Sequence, residues 1–498
     1  MNMTHNRGDY LFLFICFMLA YLADLSFMQG RIGLSYLVFI SVFYLVIFIR
    51  FRFTFNHRRI GLLLSAVIWL LSSTFLLYDN EFFLQINVIL IPLLVLIHLV
   101  LITQPNTFVW ETPHFIQIVL KKLSRAVTYN KTFIVRIFKR VTEGRSEKKV
   151  QLLYRVFVGC LIAFPILSVV IVLLMKADDV FYKLVWDLPQ FMLNVNLGET
   201  IFRMIFIVFV GFLFFGIIQL LAKERNLTEV KEHTVKQKAF SLDSVTVMTV
   251  LILLNTVYLF FLAIQFPYIL SDKLMDGLTY AEFARKGFYE LLTVVVINWT
   301  ILFITLRRTT YRTKQLKLVT KVLYSLLIGL STVLLVSAFS RLSLYESIYG
   351  FTLARFMAHA FMIYLFVIFA YTFMRVWLER LALLHFYVIF GLIFYTGLNM
   401  MNVNQFIVDQ NIERFKETED IDAEYLASLS FTGWTGLVEI DQLVDDPVVK
   451  AELEMSKCLV QHDYYKNWQS YNFARERFVN LVEETYGPDG LACQTEDD

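Results

Sequence analysis

Arg355 and His359 stand one helical turn apart inside an apolar run near 351–374. Ionisable groups in such a run are costly and are functional candidates by default. A neutral imidazole there can hydrogen-bond or pass a proton. A guanidinium one turn from the end of the run either pairs with a carboxylate or reaches out to the interface. Glu346 and Glu282 are the carboxylates that Arg355 is expected to meet near the outer surface. His98, Arg203 and His385 are further ionisable residues within apolar runs, and Arg203 also lies about one turn from a run end. The adjacent acids Asp178 and Asp179 would hold a cation or an amine, or simply mark the outer flank of a span. Motif chemistry is thin. The eight His are scattered, and there is no H-E-x-x-H, C-x-x-C, phosphate-binding G-x-x-x-x-G-K or nucleophile-elbow G-x-S-x-G. No catalytic residue, metal ligand or cofactor is therefore expected.

One stretch has a definite design. In GLTYAEFARKGFYEL (277–291), Thr279 followed three residues later by Glu282 forms a capping box, with Leu278 and Phe283 placed as a hydrophobic staple. Tyr280, Phe283, Ala284, Gly287, Phe288 and Leu291 then repeat at helical spacing, while Glu282, Arg285 and Lys286 fall on the opposite face. The spacing predicts a helix that begins amphipathic at a membrane surface and runs into an apolar span. It serves either as a well-capped start to that span or as a functional surface.

The elements that position these residues are set by composition. Of 498 residues, 58% are hydrophobic and 17% charged, against roughly 25% charged in an ordinary soluble chain. Runs of the ~20 apolar residues needed to cross a bilayer recur. An all-α, polytopic helical membrane protein is expected. Eleven spans are placed near 10–28, 34–49, 60–78, 82–102, 151–175, 200–222, 243–265, 287–306, 318–339, 351–374 and 381–400. The first run reads as a retained span, not a cleaved leader. Loops at 50–59, 103–150, 223–240 and 307–317 are basic, and those at 79–81 and 176–199 are acidic or uncharged by Lys and Arg counting. The bias puts the N-terminus in the cytoplasm and, with eleven spans, residues 401–498 outside the cell membrane.

Two non-spanning segments stand out. Residues 103–150 carry Lys121, Lys122, Arg125, Lys131, Arg136, Lys139 and Arg140 among apolar residues at helical spacing. Such a helix suits a cytoplasmic leaflet with anionic lipid, and no nucleic-acid-binding fold accompanies it. Residues 401–498 hold 21 of the 42 acidic side chains but only 7 of the 45 basic ones. Helical patterns near 404–417, 422–430, 447–461 and 468–485, with Asp420 and Asp422 as cap candidates and Gly433 and Pro447 as breaks, predict a small helical domain open to a protein partner. Cys458 and Cys493 lie here, either as two free thiols or as a disulfide if the segment is extracytoplasmic. The organisation expected is a four-helix segment at 1–102, a basic loop at 103–150, a seven-helix core at 151–400 and an acidic domain at 401–498.

GLTYAEFARKGFYEL resembles the signature of bacterial membrane proteins grouped as "domain of unknown function 4173/4153", of the form G-x-T-Y-A-E-Y-A-R-x-G-F-x-E-L. MKADDVF (175–181), RLSLYESIYGFTLARF (341–356), NVNQFIVDQNIERF (402–415), IDAEYLASLS (421–430) and WQSYNFARER (468–477) resemble the same family in the same order. Asp179 stands where the family more often has Pro, and Phe283 where it more often has Tyr. The resemblance implies a polytopic core with a helical tail, and it supplies no substrate or catalytic residue. Thr279, Tyr280, Glu282, Arg285, Gly287, Phe288 and Glu290 match the signature and are the residues expected to matter most. Three roles stay open. The first is a membrane partner or sensor with an extracytoplasmic recognition surface. The second is a secondary transporter or lipid-linked exporter lined by Asn255, Gln265, Asn298, Arg355 and His359. The third, more remote, is a membrane-embedded enzyme.

Overall fold

The computed structural model describes residues 7–52, 55–105, 114–141, 197–225, 241–270, 288–461 and 467–487, with isolated positions at 108, 110 and between 155 and 181. The described chain is helical apart from two two-residue strands. Ten helices among the described residues are long and apolar enough to cross a bilayer. They coincide with ten of the eleven expected spans; the remaining one, 151–175, lies largely outside the described residues. The chain divides into two compact units, Met1–Lys231 with Glu454–Asp498, and Glu232–Leu453. The segment 401–498, grouped above by its acidity, therefore contributes to both.

The first unit holds α1 (Arg7–Phe27), α2 (Leu34–Phe51), α3 (Arg58–Leu77), α4 (Glu81–Thr103), the amphipathic α5 (His114–Val141) and α6 (Leu197–Arg225). Asn80 caps α4, its side chain accepting the Phe83 N–H at 3.2 Å. The apolar stripe of α5 (Phe115, Val119, Ala126, Tyr129, Phe133, Ile134) is buried, and the helix packs along α6. There Asn130 donates to the Phe212 carbonyl at 2.7 Å. Arg125 lies 2.9 Å from Glu224, which Lys122 also meets. The helix thus spends much of its apolar face on protein, leaving Lys121, Lys131 and Arg136 exposed. Residues 467–472 of the tail sit at the end of this unit that carries the α1–α2 and α3–α4 turns. Leu34 N–H donates to Tyr471 O at 2.9 Å. The Asn472 amide donates to Phe75 O and Tyr78 O, both at 2.8 Å, and Asn467 donates to Gln29 O at 3.1 Å.

The second unit is built on α7 (Ser244–Leu270), α8 (Phe288–Arg308), α9 (Lys314–Tyr349), α10 (Leu353–Trp377) and α11 (Leu383–Met400). Its core includes Leu251, Val295, Leu302, Tyr324, Leu327 and Leu365, all wholly inaccessible. Tyr258 donates to Asn298 at 2.8 Å and Asn298 to Ser331 at 2.9 Å, joining α7, α8 and α9 in the way buried amides join membrane helices. The strands β1 (Leu242–Asp243) and β2 (Thr309–Thr310) pair in parallel at the basic end of the unit. Nearby, Glu379 lies 2.6 Å from Lys317 and 2.8 Å from Lys321. These ammonium groups hold its carboxyl at about 2, so the small stabilisation of this exposed cluster persists through neutral pH and fades only as pH falls towards 2.

α9 is the main departure from expectation. An apolar run of 318–339 was anticipated, yet the helix spans 36 residues, about 54 Å at 1.5 Å per residue. Nothing between Ser331 and Tyr349 breaks a helix, so it continues past the apolar run as RLSLYESIY. It ends at Gly350, whose φ of 78° suits glycine. The tail follows as α12 (Val403–Thr418), α13 (Ala423–Ala427), α14 (Ser430–Asp441), α15 (Pro447–Gln461) and α16 (Phe473–Tyr486). Asp422 caps α13 at 2.9 Å, whereas Asp420 pairs with Arg414 at 2.8 Å. Pro447 opens α15, as expected of a proline at a first helical position. Gly433 does not break the chain. It lies buried within α14, where a Cβ would fall 1.8 Å from the Leu426 carbonyl oxygen.

Candidate functional site

The extension of α9 beyond its apolar run places Ser343 and Glu346 on neighbouring helical positions, and the Gly350 turn returns α10 alongside them. Thr352 starts α10 by accepting the Arg355 N–H at 3.4 Å. One turn further on, His359 comes between the two α9 side chains. Its Nδ1 lies 3.2 Å from the Glu346 carboxylate and its Nε2 3.1 Å from Ser343 Oγ. Glu346 is buried and Ser343 exposed. The Phe339 ring meets the imidazole edge-to-face at 4.3 Å, fixing its plane. A carboxylate on Nδ1 selects the tautomer with hydrogen on that nitrogen, which leaves Nε2 as the acceptor for the serine hydroxyl.

Arg355 does not pair with Glu346, and Glu282, the other carboxylate expected for it, lies outside the described residues. Among the described residues Arg355 donates to the carbonyls of Tyr349 (3.0 Å) and Gly350, and lies over the Tyr345 ring at 4.5 Å. A guanidinium there satisfies the orphan carbonyls at the end of α9 and complements its dipole. Glu346, one of the two carboxylates foreseen, is paired with His359 instead.

The tail closes over the same turn. Asn411 accepts the Phe351 N–H at 3.0 Å and donates back to the Phe351 carbonyl at 2.9 Å. Arg414 donates to Ile348 O at 3.1 Å, and Tyr425 accepts the Leu353 N–H at 2.7 Å. Burial raises the Tyr425 phenol above its ordinary value, so it stays protonated in this role. Phe406 packs between Phe351 and Phe356, with ring centroids 5.9 and 5.6 Å away. Backbone, charge and aromatic contacts thus bind α12 and α13 to the α9–α10 turn.

Of the signature residues, Thr279, Tyr280, Glu282, Arg285 and Gly287 lie outside the described residues. Phe288 is buried in the helical core. Glu290, in the first turn of α8, lines a cavity of about 360 Å³ with Tyr258, Leu334 and Arg341, so the end of the signature meets the start of RLSLYESIYG. His98 is buried and bonded to Tyr44 at 2.8 Å, and His385 is half-buried at the start of α11. Asp178 accepts the Phe181 N–H at 3.0 Å, a local turn contact; Asp179 lies outside the described residues. Asn255 donates to Leu323 O at 3.1 Å. Cys458 is held in a disulfide; Cys493 lies outside the described residues, and Cys16 is free and buried.

Sequence reasoning missed the carboxylates of α1. Asp24, wholly buried, receives two-pronged bonds from Arg203 at 3.1, 3.0 and 2.6 Å. At the other end of α1, Asp9 pairs with Lys223 at 2.8 Å and meets Gln219, which Arg50 also reaches. Asp24 inside the first apolar run, with Asp9 just before it, was the available signal.

Together these features define a multi-pass helical membrane protein with paired ionisable groups at the ends of its spans and a helical tail docked on the α9–α10 turn. The chain belongs to the family described as Domain of unknown function (DUF4153), whose model matches residues 65–440. That match begins within α3 and ends within α14, so WQSYNFARER lies beyond it. No curated protein and no solved structure matches the chain.

Proposed function

We propose that the protein is a plasma-membrane partner or sensor protein whose tail forms an extracytoplasmic recognition surface. The observation that carries this reading is the clamp of Asn411, Arg414 and Tyr425 on the α9–α10 turn. Anything that binds the tail and shifts α12 pulls on the turn that joins the two helices carrying Ser343, Glu346 and His359. Beside the clamp, α14 runs into an exposed apolar edge of Leu443, Val444 and Val448, rimmed by Asp441, Asp445 and Asp446. Such a rimmed apolar edge suits an apolar protein segment flanked by basic residues.

The outward placement of the clamp rests on the second unit's own charge bias. Arg307, Arg308, Arg312, Lys314 and Lys317 lie at the start of α9, and the α9–α10 turn lies at its other end. The first unit carries a bias of its own. The basic residues Arg50, Arg58 and Arg59 and the α5 helix belong to one end of it. Residues 467–472 of the tail bind the opposite end, where positive-inside bias puts the exterior. The disulfide at Cys458 suits an oxidising compartment. On the inner side Lys121, Lys131 and Arg136 would face anionic lipid. A transport path lined by Asn255 and Asn298 has less support, since both amides are engaged in joining neighbouring helices.

A photoreactive side chain at Leu443 tests the recognition surface. Irradiation of intact cells should give one discrete adduct heavier than the 58.5 kDa chain, and the same group at the buried Leu437 should give none. Absence of an adduct at Leu443, or the same adduct from Leu437, would count against the surface.

A further inference from the structure

The cluster at the α9–α10 turn has the connectivity of an acyl-transfer triad. Serine hydroxyl, imidazole and carboxylate follow one another at 3.1 and 3.2 Å through opposite ring nitrogens of His359. Triads are recognised by this geometry and these roles rather than by order in sequence. The three members differ in exposure as the roles require. Glu346, at 4% exposure, is held away from water. The His359 side chain is 15% exposed, and Ser343 lies on the open face of α9. Arg355, which would otherwise compete for the carboxylate, is occupied with the carbonyls of Tyr349 and Gly350.

A serine in a helix ordinarily bonds back to the preceding turn, and Ser343 Oγ does lie 3.1 Å from Phe339 O. That contact explains the serine alone. It does not explain a buried glutamate positioned on the far nitrogen of the imidazole that the serine touches. Ser340 and Ser347 stand one turn to either side on the same helix and are also exposed. Their hydroxyls donate back to Val336 O at 3.1 Å and Leu344 O at 2.8 Å, so Ser343 is set apart from them by its contact with His359.

We infer that Ser343, His359 and Glu346 form a nucleophilic site for carboxylic esters carried by amphiphiles at the outer membrane–water boundary. Ser343 Oγ attacks the ester carbonyl as its proton passes to His359 Nε2, and Glu346 holds the resulting imidazolium in place. The tetrahedral adduct collapses by breaking the bond to the alcohol oxygen, which leaves with the proton from Nε2. Water then attacks the Ser343 ester, giving its proton to Nε2. The carboxylic acid departs and Ser343 Oγ recovers the proton. Ester and water enter; acid and alcohol leave. The substrate class follows from position, because Ser343 faces outward where α9 leaves its apolar run. The site stands independently of any partner at the tail.

The full chain in detergent micelles, treated with an alkyl fluorophosphonate, provides the test. The probe phosphonylates an activated serine and releases fluoride. The wild-type chain should label at Ser343, located by peptide mass. Ser343→Ala should abolish the label without changing the melting temperature, since the side chain is exposed. His359→Gln should slow labelling by at least about 100-fold, within the range known for triad members. A folded wild-type chain that does not label overturns the proposal. So does a label that survives Ser343→Ala, or labelling by a folded His359→Gln variant at the wild-type rate.

Discussion

Arg203→Leu should be the most destabilising single change in the first unit, by about 3–5 kcal/mol. The magnitude comes from what is left behind. Asp24 is wholly inaccessible, and its carboxylate receives both the Nε and the Nη2 of Arg203. Without the guanidinium, a buried charge has lost its partner. Arg203→Lys should recover little, because an ammonium cannot reproduce the two-pronged geometry. Asp24→Leu combined with Arg203→Leu should recover most of the loss, since removing both charges also removes the desolvation problem. Melting temperatures of the purified chain in one detergent would rank the four proteins. If Arg203→Leu matched wild type, the pair would be incidental to the fold.

Asn411→Ala should have the second largest effect, and it should be local. The side chain makes three hydrogen bonds, to Phe351 N, Phe351 O and Ile407 O, at 2.9–3.0 Å. Its loss strands both polar groups of the Phe351 backbone, a cost of about 2–3 kcal/mol. The transmembrane core is untouched, so the expected outcome is release of α12 from the turn with only a small fall in melting temperature. Limited proteolysis between α12 and α13, around Glu419–Ile421, should accelerate at least several-fold. Asn411→Asp keeps the acceptor for Phe351 N–H but sets a carboxylate against the Phe351 carbonyl, and should behave like alanine. Proteolysis unchanged in both variants would show that the clamp does not hold the tail.

Much of this architecture was legible because bilayer physics writes itself strongly into sequence. Nine of the expected spans reappear within about five residues, for apolar length alone fixes them, and the tenth, 318–339, lies inside the longer α9. Two signals of the tail were readable for the same local reason: Asp422, one of two cap candidates, caps α13, and Pro447, read as a break, separates α14 from α15. The site was less legible because it depends on partners far apart in the chain. Arg355 looked like half of an ion pair, but whether a guanidinium meets a carboxylate or a helix-end carbonyl is decided by where the Gly350 turn leaves it. Ser343 carried no signal at all, since an exposed helical serine is ordinary until His359 is seen beside it. Arg203 read as an interface charge, and Asp24, 179 positions away, did not stand out at all. Gly433 looked like a break because glycine's commonest use is at an end, whereas here its missing side chain admits the Leu426 carbonyl.

The recognition surface requires the tail to lie on the outer side of the membrane. Cysteine introduced at the exposed Glu417 on α12, in a chain whose four native cysteines are replaced, tests it in intact cells with a membrane-impermeant maleimide. Cysteine at the exposed Lys314, the first residue of α9 at its basic end, serves as the inner reference. The prediction is immediate labelling at 417, and labelling at 314 only after the membrane is opened. The reverse pattern would place the tail and the Ser343–His359–Glu346 cluster in the cytoplasm and contradict the extracytoplasmic recognition surface.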